Sequence, residues 1–230
     1  MIESLGVGGA ERRLVSDLTW LDRDRYTHQV VFILPADAMR REIEALGIPT
    51  EWIGMRDLRQ WQLGLFRLRA LLRQWRPHIV HTQVFGADVY GRLASACARV
   101  PVVLSTVQTI PFSQDCARFY STKRWWADRL TARWLTHRLI AVSDVVKEAL
   151  IREFRLPPAR VDVIPNGVDL RRFQPRRSTR GAIRAALGIA ASDFGVLNVG
   201  RLIPEKNQET LIRACGTLLS VRGSTVRLLL

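Results

Sequence analysis

Short apolar runs alternate with longer amphipathic stretches over the first 164 residues, and this alternation limits the fold more than any other feature. The apolar runs predict strands at 28–34, 49–53, 78–82, 101–107, 138–142 and 161–164. The stretches between them have helical periodicity, at 10–21, 37–46, 60–75, 86–98, 123–136 and 144–154. Because most of the strands are apolar throughout, we expect a parallel sheet that helices cover on both faces. The sequence therefore predicts a doubly wound α/β fold.

The alternation breaks at 156–180, a stretch rich in proline and arginine. Proline and glycine at this density predict a crossing between domains. We expect a Rossmann-like domain at 1–160, a linker at 161–180 and the beginning of a second Rossmann-like domain at 181–230. The predicted elements of the last part are a helix at 181–187, a strand at 194–200, a helix at 206–220 and a strand at 225–230. Two strands cannot bury both faces of a sheet, so we expect a fragment of a larger protein, cut at both ends and inactive by itself.

The chain is strongly basic, with a formal net charge of +14. Lysine occurs only at Lys123, Lys147 and Lys206, and arginine is spread along every predicted helix. This dispersion differs from the concentrated basic patch of a nucleic-acid-binding protein, so we expect no nucleic-acid partner. Attraction to an anionic membrane surface stays open as an alternative.

Cysteine usage and hydropathy indicate a cytoplasmic protein. The three cysteines, Cys97, Cys116 and Cys215, are scattered, which predicts reduced thiols and no metal site. No apolar run approaches the roughly 20 residues that a spanning helix needs. The first residues have neither the basic flank nor the apolar core of a signal peptide. Peripheral attachment to the inner membrane face is compatible with all of these features.

The segment NVGRLIPEKNQETLIRA, at 198–214, predicts the end of a strand, a short loop and the start of a helix. Arg201 and Lys206 lie in that loop, where backbone N–H groups at the helix start lack partners. Two cations beside such groups favour a bound phosphate or diphosphate.

Three segments together carry a family resemblance. They are LGVGGAER at 5–12, VIPNGVDLRRFQP at 163–175 and VGRLIPEKNQETLIRA at 199–214. In this order they resemble the retaining glycosyltransferases of GT-B architecture, the group called family 4. The resemblance implies two Rossmann-like domains across a cleft and a UDP- or GDP-sugar donor. It further implies transfer with retention of configuration to a sugar or lipid-linked hydroxyl acceptor, in cell-envelope polysaccharide or glycolipid synthesis.

The resemblance assigns roles to residues in each motif. Arg201 and Lys206 would bind the donor diphosphate and stabilise it as it departs. Gly8 and Gly9 would let a phosphate approach the backbone at the first helix. The sequence Pro165-Asn166-Gly167 would lie at the mouth of the cleft. We interpret it as a type I or II turn that sets the interdomain angle, with ligand contact by Asn166 as the alternative.

The sequence also departs from the family pattern. Gln108 stands where members often have a histidine, with Thr109 beside it, and His81 is a further candidate for the sugar side. Glutamine can bind a hydroxyl but cannot act as a general acid or base. The departing phosphate would then take the acceptor's proton. A non-catalytic GT-B-like interaction module is the alternative that this substitution leaves open.

No metal ion and no other cofactor are expected. Asp22 and Asp24 form an Asp-x-Asp sequence, but LDRDRYTH lies between a predicted helix and strand with flanking arginines, which favours a solvated connector. Two stretches, 61–76 and 119–139, mix tryptophan with arginine and suit either a lipid interface or a helix with a basic outer face. The helix with a basic outer face is the interpretation we prefer.

Overall fold

The computed structural model describes residues 1–109, 121–175, 177–222 and 225–230. The chain forms two compact units, Met1–Val168 and Asp169–Leu230. Strands and helices alternate in both units, and the paired strands run parallel. The predicted α/β class is confirmed.

The first unit has the predicted elements in the predicted order. Its strands are β1 (Val30–Phe32), β2 (Thr50–Trp52), β3 (Ile79–Gln83), β4 (Val102–Val107), β5 (Arg138–Ala141) and β6 (Val161–Val163). Its helices are α1 (Gly9–Trp20), α2 (Arg40–Ala45), α3 (Trp61–Trp75), α4 (Phe85–Ala98), α5 (Thr122–Leu135) and α6 (Asp144–Phe154).

The strands of this unit join into one parallel arrangement. β3, β4, β5 and β6 are neighbours in that order, and β1 pairs with β2. Ile2 bridges the two groups, because it pairs with Phe32 on one side and with Gln83 on the other. Ile2 therefore lies in the sheet, between β1 and β3. β6 belongs to this sheet as well, so 161–163 are part of the first unit rather than of the predicted linker.

Helices pack on both faces of the sheet. The side chains of Val30 and Phe32 lie in one core cluster with residues of α1 and α2. Those of Val31 and Ile33 lie in another cluster with residues of α3 and α4. Because neighbouring strand residues point to opposite faces, α1 and α2 cover one face and α3 and α4 cover the other. The predicted helix at 10–21 ends one residue early in the structure, at Trp20, and Leu21 is exposed.

Polar groups fix the ends of two helices in this unit. The Ser143 hydroxyl accepts a hydrogen bond from the Val146 N–H at 3.3 Å, so Ser143 is the N-cap of α6. At the end of α5, the Arg160 guanidinium donates to the carbonyl oxygens of Ala132, Arg133 and Thr136. These carbonyls lack partners within the helix, so Arg160 holds the end of α5 against β6.

A buried ionic network joins α4 and α5 to the sheet. The Arg92 guanidinium is fully buried and donates to Asp128 Oδ1 at 2.6 Å and to Ser105 Oγ at 2.9 Å. Asp88 lies 3.5 Å from Arg92 and accepts from Thr82 Oγ1 at 2.5 Å. Burial raises the pKa of Asp88 to about 6, although Arg92 opposes the increase. Two buried carboxylates therefore share one guanidinium. The network links α4 and α5 to β3 and β4.

The second unit is smaller. It contains α7 (Arg177–Ala186), β7 (Phe194–Leu197), α8 (Gln208–Arg222) and β8 (Val226–Leu229). β7 and β8 pair in parallel, and α8 connects them. α7 begins four residues earlier than the predicted helix, inside the stretch assigned to the linker.

Candidate functional site

The loop between β7 and α8 carries the two predicted phosphate ligands. Arg201 and Lys206 follow the carboxyl end of β7, and both side chains are exposed. Neither forms an ion pair with any side chain that the structure describes. Ligands of open α/β sheets bind beside the carboxyl ends of strands. The placement of these cations at a strand end agrees with the sequence, while their phosphate role stays a prediction.

Internal hydrogen bonds give this loop a fixed path. The side-chain amide of Gln208, which is buried, donates to the Arg201 carbonyl at 2.8 Å. Pro204–Lys206 form one turn of 3₁₀ helix, and Asn207 follows in a left-handed conformation with φ of 51°. The Thr210 hydroxyl donates to Asn207 Oδ1 at 2.7 Å. Both cations therefore project from a backbone that the start of α8 holds in place.

The first unit brings four polar side chains onto one face of its sheet. His81 and Gln83 are two residues apart on β3, and Thr106 and Gln108 are two apart at the end of β4. Gln83 pairs in register with Thr106, so all four share a face. The His81 Nε2 lies 2.7 Å from Thr106 Oγ1, and the Gln108 amide lies 3.5 Å from Gln83 Oε1. We call these four residues the strand-end cluster.

His81 is suited to hydrogen bonding rather than to donating a proton from an imidazolium. Burial, and to a smaller extent the nearby N-terminal ammonium, lowers its pKa to about 4. Near neutral pH the imidazole is therefore uncharged, with Thr106 as its partner. Gln108 cannot titrate at all. The cluster can accept or donate hydrogen bonds to sugar hydroxyls, but it supplies no strong acid.

The lowered pKa of His81 predicts a pH dependence of stability. The unfolded chain protonates His81 near its ordinary pKa of 6.5, whereas the folded chain does so near 4. Between these values the unfolded state binds more protons, so the free energy of unfolding falls as pH falls. From pH 7 to pH 5 we expect His81 to remove about 2 kcal/mol. Urea titrations should show this loss in the wild type and a smaller loss in His81→Gln. Parallel profiles would contradict the assignment.

A strained residue directly follows the cluster. Val84 has φ of 72° and ψ of 144°, a region that a β-branched residue rarely adopts. The next turn begins α4, where the Gly86 N–H donates to Glu3 Oε2 at 2.7 Å. A Cβ at Gly86 would lie 2.7 Å from that oxygen, so the close approach depends on glycine. Such strain costs on the order of 1–3 kcal/mol and is found preferentially at binding sites.

The glycine loop before α1 differs from the predicted arrangement. Gly8 is extended, with φ of −161°, and a Cβ there would lie 2.4 Å from Glu11 Oε2. The carboxylate of Glu11, which also accepts from Ser4 Oγ at 3.3 Å, therefore lies over the start of the helix. A Cβ at Gly9 would meet no atom within 4 Å, so the backbone there is open. A phosphate at this loop stays a prediction and would require Glu11 to move.

Two further predicted site residues are exposed. Thr109 follows β4, and Asn166 follows β6 in the first unit. The predicted type I or II turn at Pro165-Asn166-Gly167 is wrong, because this described segment has neither a hydrogen-bonded turn nor a bend. Gly167 also lacks the positive φ that the second central position of a type II turn would impose.

The Asp-x-Asp sequence is used locally. Asp22 Oδ1 accepts hydrogen bonds from the backbone N–H groups of Asp24 and Arg25, at 3.0 and 3.3 Å. The carboxylate thus stabilises a connector turn, as the flanking arginines suggested. Among the described residues, no three potential metal ligands lie together. Within the same residues, no helix combines the length and the apolar character needed to cross a bilayer.

Sequence reasoning missed Gln83, Thr106 and Glu3 as neighbours of the predicted site. Alternation along each strand would have found the first two, because Gln83 lies two residues from His81 and Thr106 two from Gln108. Glu3 contacts Gly86, which is 83 positions away in sequence, and no local pattern indicates that contact.

The comparisons with known proteins identify one family and several glycosyltransferase relatives. Residues 7–172 match Glycosyltransferase Family 4. An *Escherichia coli* UDP-Gal:alpha-D-GlcNAc-diphosphoundecaprenol alpha-1,3-galactosyltransferase is 34% identical over 144 residues, which are 63% of this chain and 37% of that protein. A D-inositol 3-phosphate glycosyltransferase of *Actinosynnema mirum* is 31% identical over 161 residues, 68% of this chain and 38% of that protein. The chain thus matches less than half the length of these curated relatives.

Solved structures support the same fold. *Anabaena* Alr3699/HepE in complex with UDP-glucose superposes with a TM-score of 0.79 at 24% identity, over 99% of this chain and 58% of that one. A glycosyltransferase of *Rickettsia africae* ESF-5 gives a TM-score of 0.68 at 16% identity, again over 99% and 58%. These likenesses confirm the predicted GT-B-like fold class. Because the family match covers most of the chain, the protein belongs to glycosyltransferase family 4.

Proposed function

We propose that this protein acts in the transfer of a sugar from a nucleotide-sugar donor to a hydroxyl group, with retention of configuration. The observation that carries the proposal is the β7–α8 loop of a family 4 member, which presents Arg201 and Lys206 on a hydrogen-bonded backbone. Relatives and structural neighbours named with UDP-sugars favour a UDP-linked donor over a GDP-linked one.

The charges of the loop suit the leaving group. Cleavage of the sugar–phosphate bond leaves a nucleoside diphosphate with new negative charge. Preorganised cations facing that charge lower the barrier to its departure. Arg201 and Lys206 would supply this stabilisation, so we propose that no metal ion is needed for it. The acceptor's proton would pass to the departing phosphate, because Gln108 cannot take it.

The acceptor is proposed to be a lipid-linked sugar of cell-envelope polysaccharide or glycolipid synthesis. The *E. coli* relative is named for an acceptor on diphosphoundecaprenol. Hydroxyl-binding groups of the strand-end cluster would contact the sugar of such an acceptor. With such an acceptor, the proposed place of work is the inner face of the cytoplasmic membrane.

Nucleotide binding and transfer test this function. We expect UDP to raise the thermal midpoint of unfolding, because a ligand at 100 times its Kd stabilises by about 2.7 kcal/mol. Transfer by the full-length protein from UDP-galactose or UDP-glucose to a polyprenyl-diphosphate sugar would be followed by UDP release. The product's anomeric configuration, read by NMR, reports retention or inversion.

The outcomes separate the proposed activity from its alternative. Binding of UDP with transfer supports the glycosyltransferase. Absence of stabilisation by both UDP and GDP, together with absence of transfer, would overturn it in favour of a non-catalytic GT-B-like module. A product with inverted anomeric configuration would overturn only the proposed retention of configuration.

A further inference from the structure

Helix α5 exposes a continuous apolar stripe. Trp126, Leu130 and Trp134 are 47%, 48% and 72% exposed. They are four residues apart, so they lie on one side of the helix. Large apolar side chains are common singly on surfaces, but three in a row with two tryptophans form a patch. We call these three residues the α5 stripe.

Basic side chains border the stripe, and no exposed acid accompanies them on this helix. Arg129 stacks on Trp126, 5.0 Å from the ring centroid, and Arg133 stacks on Trp134 at 5.5 Å. Lys123 is exposed one turn before Trp126. The helix has one acidic residue, Asp128, and that carboxylate is buried in the ionic network with Arg92. The outer side of α5 therefore combines apolar rings with positive charge alone.

An apolar groove runs beside the stripe, between α4 and α5. Its walls come from Val89 and Leu93 on α4 and from Leu130, Trp134 and Leu135 on α5. The groove is open to the surface and almost free of polar lining. A hydrocarbon chain lying along α5 would fit such a groove without leaving a polar group unpaired.

We propose that the α5 stripe and its basic border bind an anionic lipid surface. Tryptophans with flanking arginines suit the boundary between headgroups and acyl chains, where rings are half-buried and cations meet phosphates. A protein partner of ordinary composition would place acidic side chains against only part of this helix, whereas an anionic bilayer complements its whole outer side. This inference rests on the proposed function in one respect: membrane binding would give the protein access to a lipid-linked acceptor.

The fold supplies a matched control residue. Trp20 ends α1 and is 60% exposed. α1 packs on the face of the sheet opposite to α4, and α5 packs on α4. A bilayer that contacts α5 is therefore expected to leave Trp20 in water.

Vesicle binding without nucleotide tests the surface. The protein would be sedimented with vesicles of phosphatidylcholine containing phosphatidylglycerol, and with phosphatidylcholine alone, at low and high salt. We expect binding to the anionic vesicles, weakened by salt. Trp126→Ser/Trp134→Ser should reduce the partition coefficient about tenfold or more. Lys123→Gln/Arg129→Gln should reduce it about 20-fold at low salt, while Trp20→Ser should not change it. Circular dichroism and urea midpoints confirm that the variants are folded.

Three results would overturn the proposal. They are equal binding to neutral vesicles, an equal loss in Trp20→Ser, and absence of vesicle binding with self-association that the stripe variants abolish. The last result would assign the stripe to a second copy of the chain. Failure of the proposed function is read separately, because UDP binding is measured without vesicles and vesicle binding without UDP.

Discussion

Arg201→Ala is expected to lower the rate of sugar transfer about 10²–10³-fold, the effect of removing one preorganised donor from a developing negative charge. The guanidinium would contact the diphosphate most strongly as the bond to the sugar breaks. kcat should therefore fall more than KM rises. Arg201→Lys should restore part of the rate, because the charge remains while the two-pronged geometry is lost. UDP release under steady-state conditions measures both parameters.

Arg213 provides the matched control for this experiment. It lies on α8, is highly exposed and pairs with Glu209 one turn away. Arg213→Ala removes the same charge from the same unit without touching the β7–α8 loop. It should leave both kinetic parameters close to those of the wild type. Equal losses in Arg201→Ala and Arg213→Ala would show that overall charge, and not the loop, controls the rate.

The order of helices and strands could be predicted from the sequence, because each strand of a covered parallel sheet is an apolar run. β3 and β5, for example, lie within two residues of their predicted bounds. The end of the first unit was harder to predict. β6 is a short strand inside a proline-rich stretch, and only its pairing with β5 shows that it belongs to the sheet. Composition signals a crossing between domains but does not reveal tertiary pairing.

The candidate site was predictable to a similar extent. The family motifs placed Arg201 and Lys206 in a loop after a strand, and the structure has them there. The glycine loop shows the limit. Gly8 and Gly9 predict close approach of a phosphate, yet the side chain of Glu11 folds back over Gly8. Side-chain contacts of this kind depend on rotamers and on neighbours such as Ser4, which a motif does not specify.

The ionic network around Arg92 left no signal in the sequence at all. Arg92 and Asp128 are 36 positions apart, and Asp128 lies on a helix with several other charges. The sequence does not reveal which of those charges is buried against Arg92. Arg67, Arg124 and Arg213 on other helices are exposed, whereas Arg92 is fully buried.

Asp128→Ala is expected to destabilise the first unit by about 3–5 kcal/mol. The substitution removes the carboxylate that accepts from Arg92 Nη1 at 2.6 Å and leaves a buried guanidinium with an incomplete set of partners. Asp88 would remain near Arg92, but burial raises its pKa to about 6, so its charge is already costly there. Urea unfolding measures the loss. Asp162→Ala, which breaks the exposed pair with Arg138, should cost less than about 1 kcal/mol.

Removing every member of the ionic network distinguishes a buried charge from a simple loss of packing. Arg92→Met/Asp128→Leu replaces the pair with apolar side chains of similar size, and Asp88→Asn in the same variant leaves no buried carboxylate without its cation. Buried ionic groups replaced in this way often leave stability unchanged or increased, so the triple variant should recover most of what Asp128→Ala loses. It also gives a result if Asp128→Ala does not fold. A triple variant as unstable as Asp128→Ala would contradict the electrostatic explanation. The network would then stabilise the unit mainly through its hydrogen bonds to Ser105 and Thr131, which hold α4 and α5 against each other and against β4.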